Sequence, residues 1–111
     1  MSGLLKGLLS SNDKNKISFE LANLLKRKFG ENVILIDVRT PEEFKSGYIK
    51  DAINIPLDNI SDYNKFKSEN LYIVYCRSGA RSEKARVILE SKGLDAVNAG
   101  GVMDYSGELV K

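Results

Sequence analysis

Two short, almost continuous apolar runs, "NVILIDV" at residues 32–38 and "LYIVYC" at residues 71–76, restrict the architecture of this chain more than any other feature. A strand with one wet face alternates apolar and polar residues, whereas an unbroken apolar run suits a strand covered on both faces, as in a parallel sheet flanked by helices. The segments around these runs read as helices. "SFELANLLKRKFG" spaces Leu21, Leu24, Leu25 and Phe29 on one face, offers Ser18 as an N-cap and stops at Gly30. "TPEEF" carries Thr40 as cap, Pro41 at the first helical position and Glu43 three residues after the cap, which makes a capping box. Glu43 is read as a capping residue alone. "DAINIP" offers a short strand ending at Pro56, and "ARSEKARVILESKG" puts Ala85, Ile88 and Leu89 on one helix face before Gly93. "DAVNAGG" closes as a last short strand and a glycine turn. Strands alternating with helices predict an α/β fold with a mainly parallel sheet and helices on both faces.

With 111 residues the chain suits one domain with its own core and is too short for two. The expected organisation is an arm and linker over residues 1–16 and a single domain over residues 17–111. In the arm, Leu4, Leu5, Leu8 and Leu9 recur at helical spacing, but Lys6 interrupts them and no basic stretch precedes them. Such a segment fits neither a secretory signal nor a membrane span, so a cytoplasmic protein is expected. A net charge of +2, with basic and acidic residues interleaved, does not suggest a nucleic-acid binder. One cysteine forbids an internal disulfide, and the absence of histidine excludes the usual zinc sets and every Cys-His or Ser-His-Asp catalytic arrangement. No metal and no cofactor is expected.

Cys76 lies where the second apolar run ends and a helix is expected to begin. In open parallel sheets, ligands bind at the carboxyl ends of strands, where loops lead into helix N-termini. Residues 77–81 supply a run of backbone N–H groups, Gly79 permits a dihedral that other residues resist, and the helix directs its positive dipole end at the sulfur. Helix N-termini and nearby arginines lower a cysteine pKa from ~8.5 into the range ~3.5 to 7.5. Arg77 and Arg81 stand one and five residues beyond Cys76. A lone cysteine at a strand end is ordinarily a core residue. The two arginines, two serines and glycine that follow are costly as packing residues but well suited to holding an anion, which favours a nucleophile.

Taken in order, "LIDVRTPEEFKSGYIKDAINIP", "IVYCRSGARS" and "NAGG" resemble the rhodanese family of sulfurtransferases, over roughly residues 17–111. The resemblance implies a three-layer α/β domain with five mainly parallel strands, and Cys76 as the carrier of a sulfane sulfur in a persulfide. It matches Arg77, Ser78, Gly79, Ala80, Arg81 and Ser82 to the loop that cradles the persulfide. It also matches Asp37 and Arg39 to the family's Asp-x-Arg, which typically braces that loop; a purely structural ion pair is the other reading of these two. The family often has Gly-His-Ile where this chain has Gly47, Tyr48 and Ile49, and a tryptophan where it has Tyr105. Both tyrosines are expected as partly buried packing residues.

The implied reaction is a double displacement between a small anionic donor such as thiosulfate, drawn in by Arg77 and Arg81, and a thiophilic acceptor. That acceptor would be cyanide in a test tube, and a thiol or carrier protein in the cell. Two other classes remain open. A cysteine phosphatase carries Cys-x5-Arg, which would require arginine at position 82; this chain has Ser82 there, and Arg81 comes one residue early. A rhodanese-like binding module with an inert loop generally lacks the cysteine that is present here.

Overall fold

The computed structural model describes residues 15–111. Leu4, Leu5, Leu8 and Leu9 of the expected arm, with most of its linker, lie outside the described residues. The elements are α1 (Phe19–Phe29), β1 (Val33–Asp37), α2 (Pro41–Lys45), β2 (Ile53–Asn54), α3 (Leu57–Ile60), β3 (Leu71–Cys76), α4 (Ala80–Ser91) and β4 (Asp95–Gly101). The sheet order is β2-β1-β3-β4 and every pairing is parallel. Among the described residues, no helix is long and apolar enough to cross a membrane.

The central strands explain the unbroken apolar runs. Successive side chains of a strand point to opposite faces, and both faces here are covered. Val33, Leu35, Leu71, Ile73 and Tyr75 enter one core with Phe19 and Ala22 of α1. Ile36, Tyr72, Val74 and Cys76 enter the other with Ile60 of α3 and Ala85 and Leu89 of α4. Complete burial of one such aliphatic side chain contributes ~1.5–3 kcal/mol, so these two strands hold the layers together. The helix signals are realised locally as well. Ser18 Oγ accepts the Leu21 N–H at 3.0 Å, and Thr40 and Glu43 close the reciprocal capping box at the start of α2.

Two expectations are corrected. Among the described residues the sheet has four strands rather than five. Beside β4 the described residues make a single parallel bridge, Lys16 with Asn98, flanked by Asn98 N–H donating to the Asn15 carbonyl at 2.7 Å and Ile17 N–H donating to the Asn98 carbonyl at 3.1 Å. Beyond Ile17 the pairing does not continue, because Ser18 caps α1 and turns the backbone away. The second correction concerns Leu24, which is 49% exposed. The stripe of α1 that meets the sheet runs through Phe19 and Ala22, with Leu21, Leu25 and Phe29 at its margins. Leu24 lies two residues beyond Ala22, about 200° around the helix and so facing solvent.

Candidate active site

Cys76 ends β3, and α4 begins at Ala80. Between them the chain turns back so that the Gly79 N–H donates to Cys76 Sγ at 3.0 Å. This needs Gly79 in the left-handed region, φ 101°, which side chains other than glycine resist. Ser82, one turn into α4, adds its N–H to Sγ at 3.4 Å and places its hydroxyl oxygen 3.4 Å from the sulfur. Cys76 is 0% exposed. Burial pushes its thiol up; the hydrogen bonds from Ser82 and from the N–H groups of Gly79 and Ser78 outweigh that and hold it below its ordinary value.

The last strand supports this loop from below. Register between β3 and β4 shifts at Val74/Tyr75, so that Val74 opposes Asn98 and Tyr75 opposes Gly100, a β-bulge at Ala99. Asn98 Oδ1 accepts the Gly100 N–H across the bulge at 2.8 Å. Gly101 then passes directly under the loop: a Cβ there would lie 2.4 Å from the Arg77 carbonyl oxygen and 2.6 Å from Ser78 Cα. A hollow of about 270 Å³, lined by Lys16, Ile17, Ser78, Gly79, Asn98, Ala99 and Gly100, borders the loop on this side. A larger one of about 310 Å³, between α1 and residues 49–51, touches none of residues 76–82.

The loop side chains divide sharply. Arg77, Ser78 and Ala80 are exposed, and among the described residues the Arg77 guanidinium makes no ion pair. Arg81 is engaged, with its two terminal nitrogens donating to Glu43 Oε1 at 2.7 Å and Oε2 at 3.0 Å. Glu43 is therefore more than the capping residue expected of it. Its carboxylate is held down to about 2 by the Arg81 guanidinium, against partial burial and with help from the Thr40 cap. The reason is geometric, since α2 leaves the end of β1 beside the end of β3, where α4 starts.

Asp37 and Arg39 form a buried pair at the end of β1. Arg39 donates to Asp37 through Nε at 3.0 Å and through a terminal nitrogen at 2.6 Å, and that same nitrogen reaches the Gly47 carbonyl at 2.6 Å. The guanidinium carbon lies 5.9 Å from the centre of the Tyr75 ring. The pair thus ties β1 to the segment after α2, and no hydrogen bond joins it to residues 76–82 among the described residues. Tyr75 extends the same tie: its hydroxyl accepts the Ile49 N–H at 3.0 Å, and burial holds its phenol well above the usual range. Tyr48 stacks on Phe44 with ring centres 4.1 Å apart, and Tyr105 packs against Phe19 at 5.2 Å.

Asn98 is the residue that sequence reasoning missed. It is buried, accepts the Ser82 hydroxyl at 2.7 Å and donates to the Gly79 carbonyl at 3.2 Å. The signal was present in "AVNAGG", where one amide side chain interrupts a buried strand and needs buried partners. Among the described residues, no three His, Cys, Asp or Glu side chains are grouped to hold a metal ion.

The fold and the site together define a parallel α/β domain whose one cysteine lies in a ring of N–H groups at the carboxyl edge of the sheet. A family model for the Rhodanese-like domain matches residues 20–108, and the chain belongs to that family. It is similar to the protein named Thiosulfate sulfurtransferase PspE of Escherichia coli (strain K12), with 38% identity over 80 residues, 68% of this chain and 77% of that protein. A protein named Sulfurtransferase, of Allochromatium vinosum, is 35% identical over 81 residues, covering 72% of this chain and 71% of that protein. Among solved structures, a rhodanese-like domain protein of Staphylococcus aureus superposes with a TM-score of 0.71 at 39% identity, covering 86% of this chain and 96% of that chain. A structure described as rhodanese with anions, from E. coli, gives a TM-score of 0.62 at 34% identity, covering 71% and 98%.

Proposed function

We propose that the chain is a thiosulfate sulfurtransferase that carries sulfur on Cys76, with residues 17–111 as its single rhodanese domain and residues 1–16 as an arm. The observation that carries this reading is the set of donors on the sulfur, the Gly79 N–H at 3.0 Å and the Ser82 N–H at 3.4 Å, at the start of a 12-residue helix. Such donors stabilise a thiolate and the anion that replaces it. Cys76 thiolate attacks the outer sulfur of thiosulfate; the Cys–S bond forms, the sulfur–sulfur bond to sulfite breaks, and sulfite leaves with the electron pair. The product is Cys76–S–S⁻. A second thiolate, from a small thiol or a carrier protein, then takes the outer sulfur and returns Cys76 as thiolate. Residues 77–82 form the cradle. Arg77, exposed at its rim, draws in the anionic donor, while Arg81 is positioned by Glu43, and Asp37 with Arg39 supports the neighbouring segment through Gly47.

Because Cys76 has no exposed surface, the donor reaches the sulfur as the loop and its neighbours move apart. A free thiol that cycles through a persulfide, in a chain without disulfides, suits a reducing compartment, and the cytoplasm is the location this reading carries. The test is intact mass spectrometry after thiosulfate treatment, with sulfite release followed in the presence of cyanide. One added sulfur, removable by a thiol reductant and absent from Cys76→Ser, is the expected result. An unmodified mass at saturating thiosulfate and polysulfide would identify a binding module, which full burial of Cys76 would equally fit.

A further inference from the structure

The Ser82 hydroxyl has one hydrogen and more than one buried acceptor for it. Asn98 Oδ1 is the nearest at 2.7 Å, the Gly79 carbonyl lies at 3.1 Å and Cys76 Sγ at 3.4 Å. The Gly79 carbonyl already receives the Glu83 N–H at 3.1 Å and Asn98 Nδ2 at 3.2 Å. Asn98 cannot be turned over, since its Oδ1 accepts the Gly100 N–H at 2.8 Å while its Nδ2 donates to Gly79. Asn98 Oδ1 therefore presents one open acceptor site to Ser82. While the hydroxyl hydrogen lies there, the Ser82 oxygen offers only lone pairs to the sulfur. It can then accept from a thiol S–H but gives nothing to a thiolate.

We propose that Asn98 is a positioning residue that competes with the Cys76 sulfur for the Ser82 hydroxyl hydrogen. With a protonated thiol, the chain runs from S–H to Ser82 Oγ to Asn98 Oδ1. When the sulfur is charged, as the thiolate, it becomes the stronger acceptor and the hydroxyl turns to it. Of the charged groups around this chain, Arg77 is exposed and makes no ion pair among the described residues, and the others have partners. Arg81 is paired with Glu43, and Asp37 with Arg39. Glu83, 3.4 Å from Asn98 Nδ2, is held by Arg86 and lies near Lys16. Arg81 still acts on the sulfur through its charge, and beside it the neutral hydroxyl, the amide and the loop N–H groups tune the protonation of the sulfur. This inference rests on Cys76 as the reacting sulfur, but its test needs no sulfur donor, so an inactive protein would still report on it.

The experiment is the pH profile of iodoacetamide alkylation of Cys76 in the wild type, Ser82→Ala, Asn98→Ala and the double variant, each shown to be folded by circular dichroism. One neutral hydrogen bond corresponds to about half to one pH unit. Asn98→Ala removes the nearest acceptor and also frees the Gly79 carbonyl, 3.1 Å from the hydroxyl; the charged thiolate is the stronger acceptor of the two, so the midpoint should fall by up to that amount, whereas Ser82→Ala should raise it. In the Ser82→Ala background, Asn98→Ala should move nothing. If Asn98→Ala does not fold, Asn98→Asp keeps the acceptor, and its upward shift should be larger with Ser82 present than without it. A midpoint that rises or stays fixed in Asn98→Ala, or an Asn98 effect of equal size in both backgrounds, would overturn the proposal.

Discussion

The Gly79 N–H meets Cys76 Sγ at 3.0 Å because Gly79, at φ 101°, folds the loop back over the end of β3. That contact and the two from Ser82 act against burial, and their balance decides the state of the sulfur. The alkylation midpoint of the wild type is therefore expected below the ~8.5 of a free cysteine. Rates measured with iodoacetamide from mildly acidic to alkaline pH read it directly. A midpoint at or above the free-thiol value would mean that burial prevails and that Cys76 is a core residue.

The Glu43–Arg81 pair joins α2 to the first turn of α4, with side chains 29% and 36% exposed. Glu43 is depressed in the folded state to about 2 from an unfolded 4.5, so its contribution is complete above the unfolded value and fades as pH falls towards 2. Solvent screening at this exposure keeps the ion pair small, ~0.2–1 kcal/mol. Glu43→Gln should therefore cost about that much at pH 7 by urea titration, with the difference from wild type vanishing near pH 2. A difference constant across that range would remove the ion pair as its cause.

Gly101 tests the floor of the loop without backbone strain, because its φ of −108° suits any residue. An added methyl group would strike the backbone at Arg77 and Ser78, which cannot step aside as a side chain would. Gly101→Ala is expected to destabilise by ~1–3 kcal/mol, typical of overpacking, and to abolish sulfur loading of Cys76 in whatever fraction remains folded. Normal loading with an unchanged melting temperature would show that the loop yields easily.

Removing one member of the buried Asp37–Arg39 pair leaves the other charge without compensation. Asp37→Ala should cost ~3–5 kcal/mol in denaturant unfolding, and Asp37→Ala with Arg39→Leu should recover part of that loss. The pair touches Gly47 rather than the cysteine loop, so the Cys76 alkylation midpoint is expected to shift little in either folded variant. A large shift would reveal a route from the pair to the sulfur that the hydrogen bonds do not show.

Much of this protein is written in short stretches of chain. The two apolar runs determined a sheet covered on both faces, because each alternate residue had to enter an apolar layer. Thr40, Pro41 and Glu43 determined a helix start within four residues, and Gly79 after Cys76 marked the turn that returns an N–H to the sulfur. Such features depend on neighbours a few residues apart, which is why they can be read without a fold. Tertiary structure decided what depends on distant segments meeting. Only the arrival of α2 beside α4 gives Arg81 to Glu43, 38 residues away. Only the bulge of β4 brings Asn98 under Ser82, 16 residues earlier. The side of α1 that faces the sheet, and with it the exposure of Leu24, was likewise left to packing, since several apolar stripes on that helix compete and burial selects one. Among the described residues, the single bridge where a fifth strand was expected is limited in the same way on its C-terminal side, since Ser18 caps α1 two residues after Lys16.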